Sequence, residues 1–227
     1  MMAFISSARL ISALLSPFAE VPVDPVARTA FPQLLIEFGE GSTTYGYPDN
    51  EGNITIGRGN MLQTYAAFAA LDWQGATANQ IQTAWTVLQT AAAKVKRDGP
   101  DRWPGGGHYE GLTTIRATQA SIDALIDSRL NEIDAVARTE WPGWDDVPRN
   151  AQEALARLMW ACGPELAPRW PKLHAAWVAK RWDICAQECR IPSLDQTETG
   201  DPKHGIPSAN DLEAGIFESC VPPTSSA

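Results

Sequence analysis

Residues 40–59 read EGSTTYGYPDNEGNITIGRG, and this stretch decides the fold class. Glycines and the Asp49-Asn50-Glu51-Gly52 turn punctuate short β-type runs such as Ile54-Thr55-Ile56, which predicts a β-hairpin or small sheet over Gly39–Gly59. Alternation on that hairpin sets the Thr55 hydroxyl on the face opposite Ile54 and Ile56. An apolar run, Phe31 to Phe38, leads in, so the Glu40 carboxyl sits at the edge of an apolar wall. Asp49 lies in the turn after Pro48, beside polar neighbours and solvent. Two carboxyls in unlike surroundings suit glycoside hydrolysis. The desolvated one keeps its proton and acts as acid, while the wetter one stays ionised. Taken singly, each residue has a plainer reading: an exposed charge, a turn former, a strand filler.

Helical patterns follow the hairpin. Ile81, Ala84, Trp85, Leu88, Ala91, Ala92 and Val95 trace one apolar stripe from Thr77, ended by Asp98-Gly99-Pro100. Residues 99–111, with Trp103-Pro104-Gly105-Gly106-Gly107-His108, read as a flexible loop. Thr118 is placed to cap a helix carrying Ile122, Leu125, Ile126, Leu130 and Ile133. Further helices are expected from Asn150 to Cys162-Gly163-Pro164, from Trp170 to Val178, and from Trp182 to Cys189. A loop at 192–209 precedes a last short helix through Leu212, Ile216 and Phe217. The expected class is α+β, a small β-lobe on a larger helical lobe. The organisation is 1–28 as N-terminal helix and connector, 29–220 as the main domain, and 221–227 as tail.

Acidic residues outnumber basic ones by 27 to 18, for a net charge of -9. That balance argues against a nucleic-acid partner and against docking on an anionic membrane. No apolar run approaches the roughly 18–20 residues needed to span a bilayer. The first residues lack a basic start and a small-x-small cleavage site, and Phe4, Ala8, Ile11, Leu15 and Phe18 recur at helical spacing. They read as a docking helix rather than an export signal, with synthesis in the cytoplasm. Cys162, Cys185, Cys189 and Cys220 lack nearby partners at metal-binding spacing and read as buried thiols. A disulfide, for instance to Cys220, stays open in an oxidising compartment. Most of the nine tryptophans read as core of the helical lobe. His108 reads as solvent-exposed, His174 as packing or surface, and Glu51 as a turn charge.

Residues 40–59 resemble the catalytic segment of phage-type lysozymes, glycoside hydrolase family 24. Glu40-Gly41, Tyr47-x-Asp49, Gly52 and Thr55-Ile56-Gly57-x-Gly59 meet the family pattern without a gap. The likeness continues more weakly through Asn150–Gly163 and Lys180-Arg181-Trp182-Asp183. Asn60 stands where the family often has His. Ala209-Asn210-Asp211 stand where members commonly carry an Asn-Arg-Arg-like step. The connection over about 61–114 is longer than usual.

The resemblance implies a lysozyme-like fold whose binding cleft lies between the β-lobe and the helices. It implies a muramidase cutting the β-1,4 bond between N-acetylmuramic acid and N-acetylglucosamine, with no cofactor and no metal. Glu40 would be the general acid, and Asp49 and Thr55 would position and activate the attacking water. Glu37 is the nearest rival acid. An inverting mechanism asks for carboxyls about 6.5–9.5 Å apart. Tyr47, Gly57 and Trp103 are the candidate substrate-binding residues, Trp103 as a platform for a sugar face. The expected partners are peptidoglycan glycan strands, met in the periplasm by an unspecified route. The biological setting is a phage endolysin or a delivered antibacterial effector, and the latter would bring an immunity protein and a delivery apparatus. The competing readings are a catalytically silent glycan- or partner-binding module and a chitin- or chitosan-directed hydrolase.

Overall fold

The structure, a computed structural model, describes residues 42–191 and 209–222. The expected N-terminal helix, the Phe31–Phe38 run, Glu37, Glu40 and most of the 192–209 loop lie outside these. The described residues form an α+β protein, mostly helical, with one three-stranded antiparallel sheet. They divide into two compact units, 42–128 and the residues from 129 onward.

The first unit holds strands β1 (Thr43–Pro48), β2 (Ile54–Gly57) and β3 (Asn60–Met61), in that order across the sheet. Tyr47 pairs with Thr55 and Pro48 with Ile54, and the register shifts between Thr43 and Tyr47. Thr55 and Ile56 pair in turn with Met61 and Asn60. Helix α1 (Tyr65–Ala69) carries Phe68 into the core, where its ring lies 4.5 Å from Trp73 and 5.3 Å from Trp85. Helix α2 (Ala78–Asp98) begins at Thr77, which forms a reciprocal cap with Gln80, and stops at Gly99 with φ 86°. Its buried face is Ala84, Trp85, Leu88, Ala92 and Val95, five of the seven residues of the expected stripe, with Ile81 and Ala91 only half-buried at its border.

Two glycines let this helix lie directly on the hairpin. A Cβ at Gly46 would meet Leu88 Cδ1 at 2.8 Å. One at Gly52, with φ +73°, would come within 2.6 Å of the Ala92 carbonyl oxygen and of Lys96 Cγ. The long connection after residue 60 therefore supplies the helix against which the hairpin packs.

Residues 99–111 are more ordered than the flexible loop their glycine content suggests. They form two 3-10 turns, Pro100–Arg102 and Gly106–Tyr109. Behind them, the Arg116 guanidinium donates to the carbonyls of Glu110, Thr113 and Ile115 and lies 5.3 Å over the Tyr45 ring. Helix α3 (Gln119–Glu140) follows, with Thr118 Oγ1 accepting from the Ser121 amide at its start. Ile122 and Ile126 are its buried residues within this unit.

The second unit contains the rest of α3, then α4 (Arg149–Cys162), α5 (Pro171–Val178), α6 (Trp182–Glu188) and α7 (Ala209–Glu218). Trp177 is fully buried at its centre, edge-on to Trp141 and Trp182 and stacked on Trp144. Its indole N–H donates to Pro142 O at 3.0 Å, so the one polar atom of the ring is satisfied. His174 is a packing residue, edge-on to Trp141 with Nε2 2.9 Å from Glu140 O. Asn210 is buried and clasps both backbone groups of Ile191. All four cysteines are free thiols, and Cys185, Cys189 and Cys220 are buried. Among the described residues no helix is long and apolar enough to cross a membrane.

Two consequences are measurable. Gly52→Ala adds a clash with backbone to an unfavourable φ and should cost roughly 2–5 kcal/mol in urea denaturation. Gly75→Ala, at φ +63° with open space around it, should cost only about 1–2 kcal/mol. Burial pushes the Cys185 and Cys189 thiols up to about 12 from an ordinary 9.0. A raised acid favours the folded state below its unfolded value, so the thiol contribution to stability should be constant below pH 9 and be lost as pH rises toward 12. Replacing both by Ala should flatten that alkaline slope.

Candidate functional site

The hairpin turn is built around one carboxylate. Asp49 Oδ1 accepts from the backbone amides of Glu51 (3.0 Å) and Asn53 (2.8 Å). Its Oδ2 accepts from Asn53 Nδ2 at 3.2 Å and from the Thr55 hydroxyl at 3.4 Å. The Asp49 backbone closes the same turn, with its amide donating to Asn53 O and its carbonyl accepting from the Gly52 amide. An aspartate that binds amides two and four residues ahead holds the chain in a turn. The same bonds fix the carboxylate plane, and the second oxygen is thereby aimed at Thr55.

Asp49 and Thr55 are six residues apart in sequence and meet because the turn folds β2 back on β1. Asp49 is half-buried and Thr55 only 3% exposed. A hydroxyl that donates to a carboxylate keeps its lone pairs as acceptors. The pair can therefore offer a water one carboxylate acceptor and one hydroxyl acceptor, the arrangement needed to hold it and draw off its proton.

Of the residues read from sequence as substrate-binding, Tyr47 lies on β1 and Trp103 docks against that strand. The Trp103 indole donates to Pro48 O at 2.8 Å, and the indole is half-buried. Gly106 lies on the Tyr47 ring, where a Cβ would sit 3.0 Å from Cε2. The Tyr47 ring is also edge-on to Tyr45 at 6.3 Å. The polar atom of Trp103 is thus spent on the backbone, leaving its ring as the part available to a ligand. His108 is exposed, edge-on to Tyr109.

Gly57 has a structural reason to be glycine. Its φ is +67°, and a Cβ would meet Ile122 Cγ2 at 2.8 Å. Beyond it, Arg58 and Asn60 are buried, at 7% and 5% exposure. Burial lowers the Arg58 guanidinium from its ordinary value, opposed by the negative charge of Asp123. Asn60 Nδ2 is buried with no hydrogen-bond partner among the described residues.

Sequence reasoning passed over Asn53, whose backbone and side chain together make two of the four bonds to Asp49. An asparagine four residues after the turn aspartate is the signal that was there to read. It also passed over a cleft of about 400 Å³ beside the hairpin, lined by Asn53 and residues of α2. Among the described residues no group of three His, Cys, Asp or Glu is placed to hold a metal ion. Glu40 lies outside the described residues, which bring together Asp49 and Thr55. No protein-family model and no curated protein matches this sequence.

Asp49→Ala should destabilise the protein by about 1–3 kcal/mol, because two turn amides lose their acceptor. Asp49→Asn keeps one oxygen for those amides and should cost less than half as much. Urea denaturation of both, with the exposed Asp101→Ala as reference, checks the order. An Asp49→Ala cost no larger than the reference would rule out this role.

Proposed function

We propose that this chain is a muramidase of the phage-type lysozyme kind, with a lysozyme-like fold. It would hydrolyse the β-1,4 bond between N-acetylmuramic acid and N-acetylglucosamine in peptidoglycan. The observation that carries the reading is the Asp49–Thr55 pair, at 3.4 Å, inside a segment that matches the family's catalytic pattern from Glu40 to Gly59. The division into a sheet-bearing unit and an all-helical unit supports it, since the resemblance implies a small β-lobe and a larger helical lobe.

In this mechanism Glu40 donates its proton to the glycosidic oxygen as the bond breaks. Asp49 accepts a proton from a water held between its carboxylate and the Thr55 hydroxyl, and the oxygen attacks the anomeric carbon from the opposite face. Glu40 gives one proton to the leaving oxygen and Asp49 takes one from the water, and the single displacement from the opposite face inverts the anomeric configuration. The proposed place of action is the periplasmic wall, as a phage endolysin or a delivered effector with its own immunity partner. With a net charge of -9, affinity for an anionic wall has to come from direct contacts to the polymer rather than from a long-range field.

One observation favours a second reading, a silent glycan- or partner-binding module. The Asp49 carboxylate already accepts four hydrogen bonds. Clearing of purified cell-wall suspensions separates the two. Wild type should clear, and Glu40→Gln should reduce the rate by about 100-fold or more with an unchanged helical circular dichroism signal. Clearing by Glu40→Gln at the wild-type rate would overturn the assignment of the acid. Absence of clearing by folded wild type would favour the silent module, and clearing of chitin or chitosan instead would redirect the substrate.

A further inference from the structure

The cleft of about 400 Å³ lies between the turn and β2–β3 residues of the hairpin and α2, where Trp85 and Ala92 of the helix's buried face meet the exposed Gln89, Ala93 and Lys96. That volume falls within the roughly 300–1,000 Å³ of small-ligand sites. Trp85 and Met61 give it apolar surface, and Asn53, Gln63 and Gln89 give it three carboxamides. Lys96 lines it as an exposed residue whose stem packs against Gly52. The neighbouring cations of α2 are engaged, since Lys94 and Arg97 both pair with Asp98. Lys96 makes no ion pair with any described residue.

This lining selects a chemistry. Each carboxamide both donates and accepts, which complements peptide amides. The Asn53 amino group is committed to Asp49 and Glu51, so its carbonyl oxygen is the atom left to receive a ligand N–H. A single ammonium suits one carboxylate, whereas a phosphate calls for several cations or a fan of backbone amides. A neutral sugar would leave Lys96 unanswered.

We infer that this cleft binds the amide- and carboxylate-bearing peptide stem carried by the glycan strand, with Lys96 on a stem carboxylate. The inference rests on the muramidase reading for the identity of the polymer. Asn53 belongs both to the cleft and to the Asp49 turn, so a stem seated here would register the strand beside the proposed water site.

The test is a titration that needs no cleavage. Uniformly ¹⁵N-labelled full-length protein is titrated with a soluble stem tripeptide, L-alanyl-γ-D-glutamyl-diaminopimelate, and separately with a neutral N-acetylglucosamine tetramer. The side-chain amide signals of Gln63 and Gln89 and the Trp85 indole signal should move and saturate with the peptide. Lys96→Met, which keeps the apolar stem, should weaken peptide binding about fivefold, and Lys96→Arg should restore it. Three results would each overturn the inference: no movement of these signals, equal affinity for the neutral oligomer at Gln63 and Gln89, or wild-type affinity in Lys96→Met. Failure of wall clearing with peptide binding intact would instead count against the muramidase reading alone.

Discussion

The approach of the hairpin turn to the backbone of α2 is the constraint on which the rest of the first unit depends. At Gly52 there is room for a hydrogen and not for a methyl group, because the Ala92 carbonyl and the Lys96 stem already fill the space. At Gly46 the same holds against Leu88. An isolated hairpin is marginally stable in water and gains stability by packing against a helix, and here a 21-residue helix backs it. The turn, the Asp49 carboxylate and the wall of the cleft are all positioned by this one seam.

The seam also accounts for the segment after residue 60. That stretch exceeds what a hairpin followed by a connecting helix requires, yet its parts are used. Helix α2 supports one side of the hairpin, and the 3-10 turns around residues 100–109 cover Tyr47 and Pro48 on another. Long connections are retained where they bring contacts that repay their ordering. Each of these contacts joins residues some tens of positions apart, so the hairpin is a tertiary rather than a local structure.

This distribution of local and non-local contacts explains what could be read from the sequence. Helix α2 was legible to its ends because its stripe, its Thr77–Gln80 cap and Gly99 are all local features. The hairpin was legible from its turn glycines and the alternation around Thr55. The α+β class followed from these. The ordered state of residues 99–111 was not legible, because the groups that fix it, Pro48 and the Tyr47 ring, belong to a distant strand. In the candidate site, Asp49 and Thr55 were legible through a motif whose spacing matches a hairpin turn. Asn53 was missed because its importance lies in the direction of its hydrogen bonds, which no spacing rule encodes. The cleft was missed for a similar reason, since its two walls come from segments separated by the whole of α1.

Asp49 makes the turn and is also the proposed base, and this joins two properties that proteins often keep apart. A carboxylate used only for chemistry can drift to another residue once selection for activity relaxes, with the fold left whole. Here that route is closed, because the same drift would unmake the hairpin. Loss of chemistry with retention of the fold is therefore channelled away from this position, onto residues that hold no turn. A descendant of this chain that kept its shape and lost its proposed activity should still carry the aspartate, so its presence alone is a poor witness to catalysis.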